Sequence, residues 1–319
     1  MPRILITGST GQIGSGLTVE LRKRFGGMNV IAVGHKRKPM GDLQASGPFE
    51  FLDLNEEEDI AALVRKHDID TIFHLAAVLS VKGEEDPLTA WNVNMSTLVN
   101  VLEAARKEKV AKVFWPSSIA VFGPSSPHQN APQETILRPT TMYGVTKVSG
   151  ELLCDYYFRK FGLDVRSVRY PGIISSETLP GGGTTDYAVA IFYEAIRAGR
   201  YTSFVRKDTV LPMMYMPDCI DATIKIMTAD QVGRHDGYNL SGISFSAGEL
   251  ADEISKYVPG FECSYEPDER QKIADSWPDS VDDSAARNDW GWKPTYDIRS
   301  MTAEMIEKVR AKLANAGKG

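Results

Sequence analysis

Through the first half of the chain, short apolar runs rich in β-branched residues alternate with stretches where apolar residues recur every three or four positions. Period two reads as strand and period near 3.6 as amphipathic helix, so the alternation predicts parallel strands joined by covering helices. The expected strands are 4–7, 30–33, 49–52, 71–74, 112–115 and 164–169. Between the first two, Ile13, Leu17 and Leu21 share one helical face. Asn55, followed by Glu56, Glu57, Glu58 and Asp59, reads as a helix start with a capping side chain and acids against the positive helix end. Long helices are expected over 91–109 and 143–160. After about Tyr170 the pattern changes to loops rich in Gly, Pro, Ser and Met between shorter helices at 186–198, 218–227, 247–257 and 301–313. The predicted architecture is α/β: a doubly wound, Rossmann-type parallel sheet over 1–172, then a smaller mixed α/β domain over 173–319, parts of which pack back on the first.

The turn between the first strand and the first helix reads Gly8-x-x-Gly11-x-x-Gly14. Gly8 permits a tight turn, Gly11 a close approach of backbone to pyrophosphate and Gly14 close helix packing, while the helix N-terminus, with Gln12 and Ile13 in its first turn, attracts negative charge. A plain strand-to-helix turn is the alternative. The second strand should end in an acid that binds the adenosine ribose diol, but the chain reads Gly34-His35-Lys36-Arg37-Lys38. That basic run is either a solvated loop or a binder of a 2′-phosphate. Asp53 and Leu54 after the third strand are placed to meet an adenine, and Leu75, Ala76 and Ala77 after the fourth would lie along the cofactor. His74, following Ile72 and Phe73 at a strand end, reads as a core or loop histidine without chemistry.

Tyr143 and Lys147 lie four apart and share a helix face one turn apart. A free phenol is a poor base near neutrality, and a neighbouring ammonium favours its ionised form. Ser118 adds a hydroxyl that can hold a substrate oxygen where Tyr143 removes its proton. Alone, the Tyr-x-x-x-Lys pair is an ordinary amphipathic face; with the glycine turn and Ser118 it becomes a hydride-transfer site. The glycine run at 181–183 lacks the lysine of a phosphate-binding loop and reads as a lid over 180–186, with Thr185 or Asp186 capping the next helix.

Composition narrows the function classes. A net charge of −6 argues against nucleic acid and anionic membrane surfaces as partners. The three cysteines are far apart and odd in number, and with the five histidines they form no ligand cluster, so no metal is implied. No apolar run reaches membrane-spanning length and the first strand begins at Ile4, so a cytoplasmic, reducing location is expected.

Pro116-Ser117-Ser118, Val121-Phe122-Gly123, Tyr143-Gly-Val-Thr-Lys147 and Arg169-Tyr170-Pro171-Gly172 together resemble the extended short-chain dehydrogenase/reductase family in order and spacing. Within it, Leu179-Pro-Gly-Gly-Gly-Thr-Thr-Asp-Tyr187, Leu211-Pro-Met-Met-Tyr-Met-Pro-Asp218, Ser276-Trp-Pro-Asp-Ser280 and Asn288-Asp-Trp-Gly291 are similar to its threonine-oxidising branch. The resemblance implies NAD-dependent oxidation of the L-threonine 3-hydroxyl to 2-amino-3-oxobutanoate by Ser118, Tyr143 and Lys147, the last two also touching the cofactor. Ser118 stands where that branch commonly has threonine, which keeps the hydroxyl. It further implies Ser80, Thr184, Thr185 and Trp277 around the substrate, Pro171 and Ile173 beside the nicotinamide, and a homodimer paired through the two long helices. Gly34 departs from the acidic residue often found there, which leaves NADP open beside NAD. The rivals are a nucleotide-sugar epimerase or dehydratase on the same scaffold, against which the uncharged 211–213 segment weighs, and a non-catalytic NAD-sensing regulator, against which the intact triad weighs.

Overall fold

A computed structural model describes residues 1–177 and 181–316. Its central feature is a seven-stranded parallel sheet of β1 (Ile4–Thr7), β2 (Val30–Gly34), β3 (Phe49–Phe51), β4 (Thr71–His74), β5 (Lys112–Ser118), β6 (Asp164–Tyr170) and, from far along the chain, β10 (Tyr238–Asn239). The order is β10-β6-β5-β4-β1-β2-β3. Order reverses between β1 and β4, and the crevice at the carboxyl ends of strands beside such a switch point is where ligands bind in open α/β sheets. The strands are apolar on both faces because both are covered. Leu5 enters the core shared with α3 (Glu57–His67) and α6 (Thr97–Lys107); Ile4 and Ile6 enter the opposite one, against α1 (Gln12–Phe25) and α9 (Met216–Thr228).

The other helices are α2 (Gly41–Ala45), α4 (Ser80–Glu85), α5 (Pro87–Trp91), α7 (Met142–Phe161), α8 (Tyr187–Ala198), α10 (Ala247–Ser255), α11 (Arg270–Ala274), α12 (Ser284–Trp290) and α13 (Ile298–Ala316). In the second half, β7 (Gly172–Ile174), β9 (Val210–Tyr215) and β11 (Ile243–Ser246) make a three-stranded sheet, while β8 (Arg200–Ser203) and β12 (Glu262–Tyr265) pair in parallel. These short strands lack a run of alternation long enough to read beforehand. A third core joins Ile119, Ala120, Val121 and Phe122 to α8, α10 and α13 and spans both halves. Segments 216–228 and 238–239 return to the first sheet, α9 lying on α1 and β10 pairing with β6.

Three local readings change. The expected helix at 91–109 is interrupted by a π-helical turn over Asn92–Ser96. The helix after Asn55 has Glu56 at its N-cap, because Asn55 turns back to the Asp53 carboxylate instead. The helix expected from 186 begins at Tyr187, and neither Thr185 nor Asp186 caps it by side chain. Leu179 and Pro180, quoted above in the lid motif, lie outside the described residues, as does the 317–319 end.

Candidate active site

The glycine turn is dictated by close packing. Gly8 has φ of +67°, and a Cβ there would lie 2.6 Å from the Ala76 amide nitrogen; one on Gly14 would lie 2.3 Å from the Gly8 carbonyl. Only hydrogen fits at either position. Gly11 is the N-cap of α1 with no side-chain cap, and the first turn holds no acid, so its N–H groups face the crevice with their positive field uncompensated. That is a cradle fitted to a pyrophosphate, with Gln12 and Ile13 in position to donate. Gln12 Nε2 also donates to the Ile173 carbonyl at 3.4 Å, tying the turn to β7 just after Pro171. Leu75 N donates to Thr7 O at 3.2 Å, which sets Leu75, Ala76 and Ala77 beside the turn. Asp53 stands exposed at the far rim 3.9 Å from His35, Lys36 beside it is exposed, and Leu54 is held through its carbonyl by Asn100 at 2.9 Å. The glycine turn, His35, Lys36, Asp53, Leu54 and Leu75 to Ala77 all follow the carboxyl ends of strands β1 to β4, beside the switch point of the sheet, where a dinucleotide binds in folds of this order.

Beyond β4 in the sheet, α7 runs antiparallel to the last turn of β5. Thr141 caps α7 through its hydroxyl, which accepts from Gly144 N at 3.1 Å. Lys147 is buried at 3% exposure, 4.3 Å above the Trp115 ring and 5.4 Å from the Tyr143 ring centroid. Its ammonium donates to the Pro116 carbonyl at 2.5 Å. Burial lowers the Lys147 pKa to about 7. The same desolvation raises the Tyr143 phenol to about 12, opposed by its hydrogen bond with Ser118. Ser118 ends β5, where its hydroxyl also accepts from Ala120 N at 3.2 Å. Burial thus disfavours charge on both groups, lowering the lysine and raising the phenol toward each other. Moving the phenol's proton to the amine creates a phenolate base beside an ammonium.

Two residues of the site were not singled out from sequence. Asn94, in the π-helical turn, accepts from Val78 N at 2.7 Å and donates to Val78 O at 3.1 Å and to Thr146 at 3.3 Å, fixing the 75–80 loop against the catalytic helix. A π-turn often marks such sites, but it has no period to read in a sequence. Glu151, one turn past Lys147, accepts from Ser117 at 2.5 Å and from Arg169 at 2.8 Å through each oxygen. Its signal was the continued four-residue spacing 143-147-151. His74 is buried between Thr7 at 2.7 Å and Thr97 at 3.3 Å, with burial lowering its pKa to about 3, so it is a neutral structural group.

Of the expected substrate residues, Ser80 and Thr184 are both buried with hydroxyls 3.5 Å apart, and Thr185 packs on Gly172 of β7. Gly83 of α4 lies against Tyr143, so this hydroxyl pair is near the catalytic helix. The lid is folded down: Val81 N donates to Gly182 O at 3.3 Å, while Asp186 accepts from Gly182 N and Gly183 N at 2.8 Å each. Trp277 is buried in the third core, against which Tyr143 also packs, and its neighbour Ser276 accepts from Thr140 at 3.4 Å. Among the described residues no cluster of His, Cys, Asp and Glu could hold a metal, and no helix is long and apolar enough to cross a membrane.

The geometry is matched by known proteins. An uncharacterized epimerase/dehydratase of Staphylococcus haemolyticus is 50% identical over 99% of this chain and 100% of its own length. The structure of L-threonine dehydrogenase from Clostridium difficile is 50% identical, with a TM-score of 0.95 over 98% of both chains. The GalE-like L-threonine dehydrogenase of Cupriavidus necator, in its holo form, is 48% identical, with a TM-score of 0.93 over 97% of this chain and 100% of that one. The model of the NAD dependent epimerase/dehydratase family matches residues 4–241, and with a Rossmann-type parallel sheet and relatives at 50% identity over nearly its whole length, the chain belongs to that family.

Proposed function

We propose that this chain oxidises the C3 hydroxyl of L-threonine to 2-amino-3-oxobutanoate, with a nicotinamide dinucleotide as the hydride acceptor, as the family description and a holo-form relative support. The observation that carries the reading is the association of Ser118 with Tyr143 and Lys147, with the α4 helix that begins at Ser80, paired to Thr184, packed on the same α7. The segment of Leu211, Met213 and Met214 is wholly buried and uncharged, and so offers no cation to a sugar-nucleotide diphosphate. The 41–50% identity to structures named as L-threonine dehydrogenases supports the same substrate.

In the proposed reaction, Ser118 holds the substrate hydroxyl and the Tyr143 phenolate takes its proton. Lys147 keeps the phenolate ionised, held in place by the Pro116 carbonyl. Ser80, Thr184 and Thr185 orient the amino acid, and the folded 181–186 lid excludes water. When bound, an oxidised nicotinamide supplies the acceptor for the hydride leaving C3, so the C3–H bond gives up its hydrogen with two electrons, the hydroxyl proton goes to Tyr143, and the alcohol becomes a ketone. Gly11, Gln12 and Ile13 would hold the pyrophosphate, Asp53 and Leu54 the adenine, and Tyr143, Lys147, Pro171 and Ile173 the nicotinamide end. Absorbance of reduced cofactor with L-threonine tests the reading; turnover of a UDP-sugar and none of threonine would replace it with the epimerase, and cofactor binding with no turnover would replace it with the sensor.

A homodimer belongs to the same proposal. Leu88, Trp91 and Val99 on α5 and α6 are exposed beside Val145, Leu152 and Tyr156 on the adjacent α7, an apolar face of the kind that pairs subunits. Light scattering at micromolar concentration should give twice the chain mass of 35.2 kDa. The three unpaired cysteines accord with action in a reducing, cytoplasmic setting.

A further inference from the structure

In folds of this strand order, a carboxylate after the second strand accepts from the adenosine 2′-hydroxyl, whereas a nearby arginine accommodates a 2′-phosphate. Position 34 carries no carboxylate here, and any side chain on it would have to displace a neighbour. A Cβ on Gly34 would lie 2.8 Å from the Phe49 ring and 3.2 Å from the Arg37 carbonyl. The nearest acid across the rim, Asp53, is already engaged: Asn55 donates to Oδ1 at 3.0 and 2.8 Å, and His35 stands 3.9 Å from Oδ2. Its carboxyl is held below the usual range by the Asn55 backbone first and by the His35 and Lys36 charges last.

The other side of the loop is basic and open. His35, Lys36, Arg37 and Lys38 are all exposed, and among the described residues the last three make no ion pair. Arg37 and Lys38 line a cleft of about 940 Å³ that also includes Thr10 of the glycine turn and Ser15 of α1. Four acids share that cleft. Glu20 is paired with Arg24 at 2.8 Å and Asp221 with Lys225 at 2.8 Å, while Asp42 lies in the first turn of α2 and Glu177 accepts from Ser176 at 3.5 Å. Ser9 fixes the glycine turn to the end of β2, donating to the Val33 carbonyl from N at 3.1 Å and from Oγ at 2.8 Å. The cations and the pyrophosphate cradle are thereby held on one rim.

We propose that His35, Arg37 and Lys38 form a 2′-phosphate subsite, so that this chain binds NADP more tightly than NAD. The inference rests on the reading of the crevice as a nicotinamide dinucleotide site. A phosphate monoester carries close to two negative charges at neutral pH, and charge-assisted hydrogen bonds from a guanidinium and an ammonium outweigh the two neutral bonds that a ribose diol would make to exposed side chains.

The test is calorimetric titration of the full chain with NAD and with NADP, without substrate, on the native sequence and on a variant carrying Arg37→Ala and Lys38→Ala. Both side chains are exposed, so the variant should melt as the native protein does. NADP should bind at least about tenfold more tightly than NAD, the effect of one charge-assisted hydrogen bond, and the advantage should shrink as salt rises. The double substitution should erase that advantage and leave NAD affinity unchanged. Equal or weaker binding of NADP by the native chain overturns the subsite, as does a variant that loses affinity for both dinucleotides alike. Binding of neither dinucleotide overturns the crevice reading instead, which keeps the two failures apart.

Discussion

The Tyr143–Lys147 face of α7 and the loop after β2 both follow the carboxyl ends of the central strands and are built in opposite ways. Lys147 is buried, its ammonium fixed by a backbone carbonyl and two aromatic rings, with Glu151 and Arg169 locked behind it. The 35–38 loop is exposed, and among the described residues Lys36, Arg37 and Lys38 make no ion pair, while His35 stands 3.9 Å from Asp53. A proton-transfer couple works only at fixed distances, so its surroundings over-determine it. Recognition of a ribose substituent at the rim needs only charge within reach, so that loop can change without disturbing the fold. Reaction chemistry is therefore read more safely from α7 than cofactor choice is from β2.

The sharpest way to break this contrast is to remove one atom from its rigid side. Tyr143→Phe leaves the packing and deletes the base, so turnover with L-threonine should fall by about 10³-fold or more while dinucleotide binding persists. Near-normal turnover measured by cofactor absorbance would show that another group takes the proton. Glu151→Leu attacks the same rigidity from behind. It leaves the Arg169 guanidinium buried and without its carboxylate, a change that costs about 3–5 kcal/mol of stability in such pairs. The exposed Arg65–Glu58 pair supplies the control, because its loss should leave the same denaturant titration nearly unmoved.

Lys147→Met separates stability from chemistry. The folded lysine has a pKa near 7, below its unfolded value, so the folded chain binds fewer protons and native stability should rise as pH goes from about 7 to about 10. Methionine removes that dependence and the cost of a buried charge at neutral pH, so the variant should melt no lower than the native chain at pH 7. Its turnover should drop by about 10²-fold, and the rising limb of the rate against pH, expected near 7 for the native couple, should move upward toward the phenol's own range. A variant with an unmoved limb would place the titrating group elsewhere.

These outcomes also mark how far the residues could be read in advance. The strands, the glycine turn and the 143-147 couple were legible because each is a local pattern with a period or a fixed spacing. The six short strands from β7 to β12 were not, since their partners lie up to 70 residues away, as in the pairing of Asn239 with Arg169, and pairing rather than propensity forms them. Asn94 escaped because a π-turn looks like ordinary helix in sequence. The caps expected from Asn55 and Asp186 failed for one reason: each carboxylate or amide found a nearer loop partner, Asp53 in the first case and two glycine N–H groups in the second.

That second partner choice leads to the smallest expected effect. Asp186 accepts from Gly182 and Gly183 with one carboxylate oxygen, and the loop so folded bonds to Val81 beside Ser80. Glycine-rich backbone has much entropy to lose on ordering, and two charge-assisted bonds offset that loss. In Asp186→Ala the lid should have to order itself at the moment of substrate capture, so KM for L-threonine should rise about tenfold while kcat falls less. Dinucleotide affinity should change less than KM, since the Asp186 carboxylate bonds the lid's own Gly182 and Gly183. A fall in kcat as deep as that of Tyr143→Phe with KM unaltered would mean that the lid shapes the transition state itself, and the rigid region of the crevice would then extend from α7 to the glycine run.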